Sequence, residues 1–254
     1  MKTFALCAIF AAGAIAAVGG MAGSTKTVDR TVPLPATGSV TLDTHNGSID
    51  VRTWDRAEVE IHARIEAASF STADTRRFDE TTVDVTSSSD AVRIVSRYPM
   101  SAWWSWLGMN PTIHYTITAP KTARWTIDDH NATAEVHDVR AALKVRMHNG
   151  TVHAAGLDGP LEVDAHNGSV TADFVSFHGA ELTTHNGSVE LRLPSTAAFS
   201  LRADTRRALV HSDFPVAIDH WGRRSASLEA AVSGGGPALH FRSHSGQLRL
   251  LSKR

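Results

Sequence analysis

The sequence predicts an all-β protein, a parallel β-solenoid entered through an antiparallel β portion. Three observations carry that prediction. One tripeptide recurs at nearly constant spacing, apolar residues alternate on both sides of its copies, and most copies hold the Asn-Gly pair that lets a chain turn sharply.

The copies are His45-Asn46-Gly47, His130-Asn131-Ala132, His148-Asn149-Gly150, His166-Asn167-Gly168 and His185-Asn186-Gly187, with a looser His244-Ser245-Gly246 near the end. From His130 the steps are 18, 18 and 19 residues, and a further 19 residues lead to a degenerate copy at Asp204-Thr205-Arg206. Before the corners Leu143, Val145 and Met147 alternate, as do Leu161, Val163 and Ala165; after them Val152 and Ala154, Val170 and Ala172, and Val189 and Leu191 alternate. A period of two means strands with one buried face. Isolated hairpins would also give strand–Asn-Gly–strand, but they would let the far loops vary in length. Constant spacing favours rungs stacked in parallel, with like residues above one another.

In chain order, residues 1–22 read as a signal peptide. Lys2 gives a short positive start, Phe4 to Val18 is apolar and uncharged, and Gly20 and Ala22 are small enough for cleavage after Ala22. The competing reading is an uncleaved anchor, which the short apolar run disfavours, since a span needs roughly 20 residues. Residues 23–119 form a β-rich N-terminal portion: Val40 to Val51 is repeat-like, Val59 to Ile65 alternates, and Val83, Val85, Val92 and Ile94 form two strands around a turn at 87–90. Phe70 to Glu80 is a candidate short helix, and a tryptophan-rich loop spans 100–111. Residues 120–254 hold the regular repeats of about 18–20 residues. The N-terminal strands are expected to be antiparallel and to seal one end of the stack, because an open rung is an adhesive edge.

Composition excludes several classes. A net charge of −1 with 20% charged residues leaves no positive excess for binding nucleic acid through phosphates. The single cysteine, Cys7, permits neither an internal disulfide nor a cysteine-based zinc site. Histidine, at 14 residues, is the unusual feature.

These features resemble the bacterial putative adhesin family catalogued as domain of unknown function 4097. The resemblance rests on Tyr115-Thr116-Ile117-Thr118-Ala119-Pro120 ahead of the first regular rung, on the rungs at Gly150, Gly168 and Gly187, and on Leu191-Arg192-Leu193-Pro194. It continues through Gly234-Gly235-Gly236-Pro237 to Ser245-Gly246 and covers about residues 38–252. It implies an exported, right-handed β-solenoid and little about chemistry. The histidine before Asn-Gly and the tryptophan-rich insertion depart from the family's pattern.

Three groups of residues could carry function. His130, His148, His166 and His185 should form a ladder on the outside of one corner, at the 4.8 Å step between strands. Two imidazoles from neighbouring rungs could then share zinc, copper or nickel, with Asp129 as a helper; the plain alternative is a tolerated polar corner repeated by duplication. Asn131, Asn149, Asn167 and Asn186 lie in Asn-x-Ser/Thr sequons, as does Asn46. Glycans on adjacent rungs would collide, so these are expected to be a structural turn ladder with Gly150, Gly168 and Gly187, the asparagines adopting left-handed backbone angles. Trp103, Trp104 and Trp106 would either contact a membrane, glycan or protein partner or plug the stack's end.

No nucleophile elbow, His-Glu-x-x-His or phosphate loop is present. The expectation is therefore a non-catalytic, periplasmic or secreted envelope protein, an adhesin-like binding or scaffold module without a required cofactor. Its partner would be an envelope protein, a glycan or a membrane surface, and not nucleic acid. The alternatives are a periplasmic transition-metal binder using the His ladder for zinc or copper, and a carbohydrate-active enzyme built on a β-helix.

Overall fold

The computed structural model describes residues 17–20, 23–67, 72–99, 111–216 and 226–253. Among these residues the chain is all-β apart from one short helix, α1 (Thr72–Glu80), and the described strands join in a single 15-stranded sheet. The regular part is a parallel stack of β9 (Arg124–His137), β10 (Leu143–Leu157), β11 (Leu161–Phe174) and β12 (Ala180–Pro194). Asn131, Asn149, Asn167 and Asn186 occupy one register position, and the flanking residues follow in step.

Each of these strands bends at the tripeptide. In β10 the buried positions are 143, 145 and 147 before the corner but 152 and 154 after it. The change from odd to even leaves residues 148–151 outside the core, so a continuous ladder carries two arms facing one interior. The pairing register runs from Met147↔Ala165 directly to Asn149↔Asn167, stepping over the histidines. Val145, Val163 and Leu182 from the first arms, and Val152, Val170 and Val189 from the second, fill that interior.

Two features of the stack differ from the expectation. The last strand, β15 (Ala238–Lys253), lies between β12 and β13 (Phe199–Ser212), so the rungs do not follow one another in chain order at this end. The chain instead steps over one strand width to β13, forms an antiparallel edge with β14 (Ala226–Val232), and returns to fill the gap. The degenerate corner is also shifted: β13 pairs Thr205 with Ser243, Arg207 with Ser245 and Ala208 with Gly246. Arg206-Arg207-Ala208, not Asp204-Thr205-Arg206, thus holds the corner. The 19-residue count misplaces it because register is set by the inserted β15.

The N-terminal portion is mixed rather than purely antiparallel. β3 (Ser39–Asp43) and β4 (Asn46–Trp54) lie parallel against the two arms of β9 and add a rung to the stack. Beneath them β7 (Ala91–Arg97) pairs parallel with β3, and β8 (Thr112–Pro120) pairs parallel with β4. Antiparallel pairing is confined to β1 (Ala17–Gly20) with β2 (Gly23–Pro33), β2 with β5 (Glu58–Ala67), β5 with β8, and β6 (Thr82–Ser87) with β7. The sheet runs without a break across residue 120. Local alternation cannot distinguish parallel from antiparallel partners, since both bury one face.

Most of the proposed leader, residues 1–16 and 21–22, lies outside the described residues. No helix among the described residues is long and apolar enough to cross a membrane.

Candidate functional site

The corners bring six imidazoles into one column. His45, His130, His148, His166, His185 and His244 stack with centroid separations of 4.6–4.8 Å and interplanar angles of 2–7°. The spacing is that of the backbone rungs, so the sheet imposes it and equivalent rotamers preserve it. The first two rings are half-buried and the other four exposed. Sequence reasoning placed four histidines in the ladder; His45 and His244 extend it, and the tripeptide itself was the signal for both. Beyond His244 the next register position holds Arg206. At the other end the Tyr98 ring meets His45 edge-on, with centroids 5.9 Å apart at 64°.

A second column runs beside the first. Asn131 Nδ2 donates to Asn46 Oδ1 at 3.1 Å, Asn149 to Asn131 at 2.8 Å, Asn167 to Asn149 at 3.1 Å and Asn186 to Asn167 at 3.0 Å. Each interior amide both donates and accepts along the stack, the pattern of an amide ladder. The expected left-handed asparagines are not found: among the described residues the non-glycine positive φ angles belong to Asp138 and Ser233. At two corners a positive φ falls instead on the residue after asparagine, 147° at Gly150 and 135° at Gly47. Close approach also demands glycine on the later rungs of this column. A Cβ on Gly168 would lie 2.3 Å from the Gly150 carbonyl oxygen, and one on Gly187 would lie 1.9 Å from that of Gly168.

The stacked rings do not form a chelate. Each nitrogen lone pair lies in its ring plane, and the planes are nearly parallel. Zinc binds imidazole nitrogen at about 2.0–2.1 Å, so two nitrogens on one ion are at most ~4.2 Å apart and must point at a common centre. Nearly parallel rings stacked face to face do not point at a common centre. Among the described residues no group of three or more His, Cys, Asp or Glu side chains could hold a metal ion.

Protonation of His130 is opposed by the rings on either side of it. Two positive charges 4.7 Å apart repel by ~0.9 kcal/mol even in water, so neighbouring rings resist ionising together. Partial burial, together with the facing His45 and His148, holds the His130 imidazole below the usual histidine range. Under this corner lies a buried polar cluster. Ser96 Oγ donates to Thr44 Oγ1 at 2.9 Å and is 2.7 Å from the Tyr115 hydroxyl. Burial raises the pKa of both Tyr98 and Tyr115. Asp129 contributes a carboxyl group with both oxygens buried and without a hydrogen-bond partner. Burial pushes its pKa up to about 7; the nearby backbone N–H groups of Ala132, His130 and Asn131 pull it down without reaching bonding geometry. Alternation in the sequence marks position 129 as interior but gives no sign that its carboxyl lacks a partner.

Other carboxylates of the stack lie on outward positions in ion pairs: Asp128 with Arg146 at 3.1 Å, and Glu190 with Arg192 at 2.8 Å and Arg249 at 3.3 Å. Trp103, Trp104 and Trp106 lie outside the described residues. The segment that holds them connects β7 to β8, whose ends flank the corner directly beneath His45.

No protein-family model matches the chain, and no curated protein matches it. Solved structures do. A putative cell adhesion protein from Clostridium sporogenes is 11% identical, with a TM-score of 0.46 over 89% of this chain and 99% of that one. A putative adhesin from Bacteroides fragilis is 10% identical, with a TM-score of 0.34 over 89% and 97%. A putative lipid binding protein from Parabacteroides distasonis is 9% identical, with a TM-score of 0.28 over 89% and 96%.

Proposed function

We propose that this chain is a non-catalytic, exported module of the cell envelope, a right-handed β-solenoid that binds or scaffolds through its corner face. The observation that carries the reading is the uninterrupted corner. Six imidazoles and five hydrogen-bonded asparagines form one straight polar edge held by in-register strands. A repeated, uniform edge suits recognition of an extended partner, whereas catalysis needs unlike groups converging on one atom. The apolar segment after Lys2 supports export to the periplasm or beyond. The partner is a glycan, an envelope protein or the membrane surface, and Trp103, Trp104 and Trp106 are a second contact with it.

Co-sedimentation of the purified chain, lacking residues 1–22, with isolated cell envelopes tests the reading. Saturable binding is expected; no binding above that of an unrelated β-protein would sink it. Calorimetric titration with zinc and copper addresses the metal-binding alternative. The parallel lone pairs lead us to expect no stoichiometric uptake at micromolar metal.

A further inference from the structure

The corner edge has a chemical property that no single histidine would have. In β10, β11 and β12 four adjacent positions of the bend, the histidine, the asparagine, the glycine and the following hydroxyl residue, lie outside the core. In the fourth position stand Ser48, Thr133, Thr151, Ser169 and Ser188. Between His45 and His244 these columns contain no carboxylate and no permanent cation. The edge is therefore neutral when the rings are neutral and becomes a line of positive charge when they ionise.

We propose that this edge is an acid-activated binding strip for a linear acidic polysaccharide, with the imidazole column as its charge and the Asn and Ser/Thr columns as hydrogen-bonding partners for sugar hydroxyls. The proposal rests on the envelope-module reading and adds its ligand class and its control.

Three observations favour this ligand. The site repeats at 4.6–4.8 Å over six rungs, which suits a polymer that presents a group at every step rather than a compact anion. The ring faces cover one another and only edges reach solvent, so nucleobases find no aromatic platform on which to stack. At its C-terminal end the strip opens into a cleft of about 510 Å³ lined by His244, Arg206 and Arg242, with one carboxylate, Asp204, which is paired with Arg202 at 3.1 Å. Arg206 occupies the next place in the column and gives the strip a charge that does not depend on pH.

The surroundings leave the histidines to set the response. On the arm before the corner, Asp43 is paired with Arg93, Asp128 with Arg146, and Arg242 with Glu181; Asp164 is exposed. On the arm after it, Asp50 is paired with Arg52, and Glu190 with Arg192 and Arg249, while Glu135 and His153 are exposed; on β8 His114 Nδ1 is 2.8 Å from Ser48 Oγ and its Nε2 is 3.4 Å from Glu66. Asp129 lies inside, beneath His130, and Tyr98 closes the end at His45. Anionic groups set along the column would offset the repulsion between neighbouring imidazolium ions, so binding should draw protons from solution.

The test measures binding of polygalacturonate to the purified chain at pH 5.0 and 7.5 by calorimetry, in buffers of different ionisation enthalpy. Affinity at least tenfold higher at pH 5.0, with net proton uptake near pH 6, is expected. The triple variant His148→Gln/His166→Gln/His185→Gln should keep its thermal midpoint and lose all but about twofold of the pH effect. Arg206→Gln should weaken binding by a similar factor at both pH values. Should the triple variant fail to fold, His166→Gln alone, with an expected threefold loss at pH 5.0 and none at 7.5, decides the matter. The proposal is overturned by no binding at pH 5.0, by a pH effect that survives the histidine substitutions, or by equal competition from single-stranded DNA, which would show that charge alone is read. Envelope co-sedimentation that persists alongside a failed polygalacturonate test would remove this strip and leave the broader reading standing.

Discussion

The two ends of the histidine column carry the same ring and are built in opposite ways. At the N-terminal end His45 abuts the edge of Tyr98, over a buried cluster that includes the unpartnered Asp129 carboxyl. At the C-terminal end His244 is exposed, is followed in register by Arg206, and sits above Thr184 Oγ1, which donates to Ser243 Oγ at 3.0 Å. One end is enclosed and holds a suppressed negative charge, while the other is open and ends in a permanent positive one. The tripeptide sets the column's geometry; what lies next to and beneath each ring sets its charge.

The glycine column breaks the comparison most severely. Gly187→Ala, toward the open end, places a Cβ 1.9 Å from a backbone oxygen of the next rung and should cost about 3 kcal/mol or more in a denaturation titration. At the enclosed end the equivalent position is already Ala132, so Ala132→Gly should cost only ~1 kcal/mol. Equal losses would show that the two ends are packed alike.

Asp129→Asn sharpens the contrast in charge. The folded-state pKa of Asp129 is raised from 3.8 to about 7. Below the lower value both states hold the proton. Between the two the unfolded chain ionises while the folded chain does not, so stability falls as pH rises, and the loss is complete above about 7. The variant should therefore gain ~1–3 kcal/mol over the parent at pH 8 and show little gain near pH 4. A gain independent of pH would contradict burial of the charge.

Smaller effects separate the middle from the ends. Asn149→Ala removes two ladder bonds, to Asn131 and from Asn167, and should cost ~1–2 kcal/mol; Asn186→Ala removes one and should cost about half as much. Least of all, His148→Ala should let the His130 pKa rise toward the ordinary histidine value, as read by NMR titration. No change there would mean that the column does not couple its charges.

Much of this architecture was legible in residues. Repetition of His-Asn-Gly at 18–19 residues and the alternation around it specify parallel, in-register rungs, because only stacking lets identical corners bury identical faces. The helix at Thr72–Glu80 and the turn before Ala91 also lie where local signals place them. The placement of β15 between β12 and β13 was not legible, and neither was the corner at Arg206-Arg207-Ala208. Nor could alternation show that β3, β4, β7 and β8 pair in parallel while β2, β5 and β6 do not.

The sequence alone determined the period, the corner chemistry and the glycine that each close approach requires, since these depend on neighbours within one rung and its repeat. The tertiary structure decided the order of rungs at the C-terminal end, the parallel lone pairs of the stacked rings and the isolation of the Asp129 carboxyl. Those depend on which distant strand fills each gap in the sheet, and strands that share an alternation compete on equal terms until the whole stack is assembled.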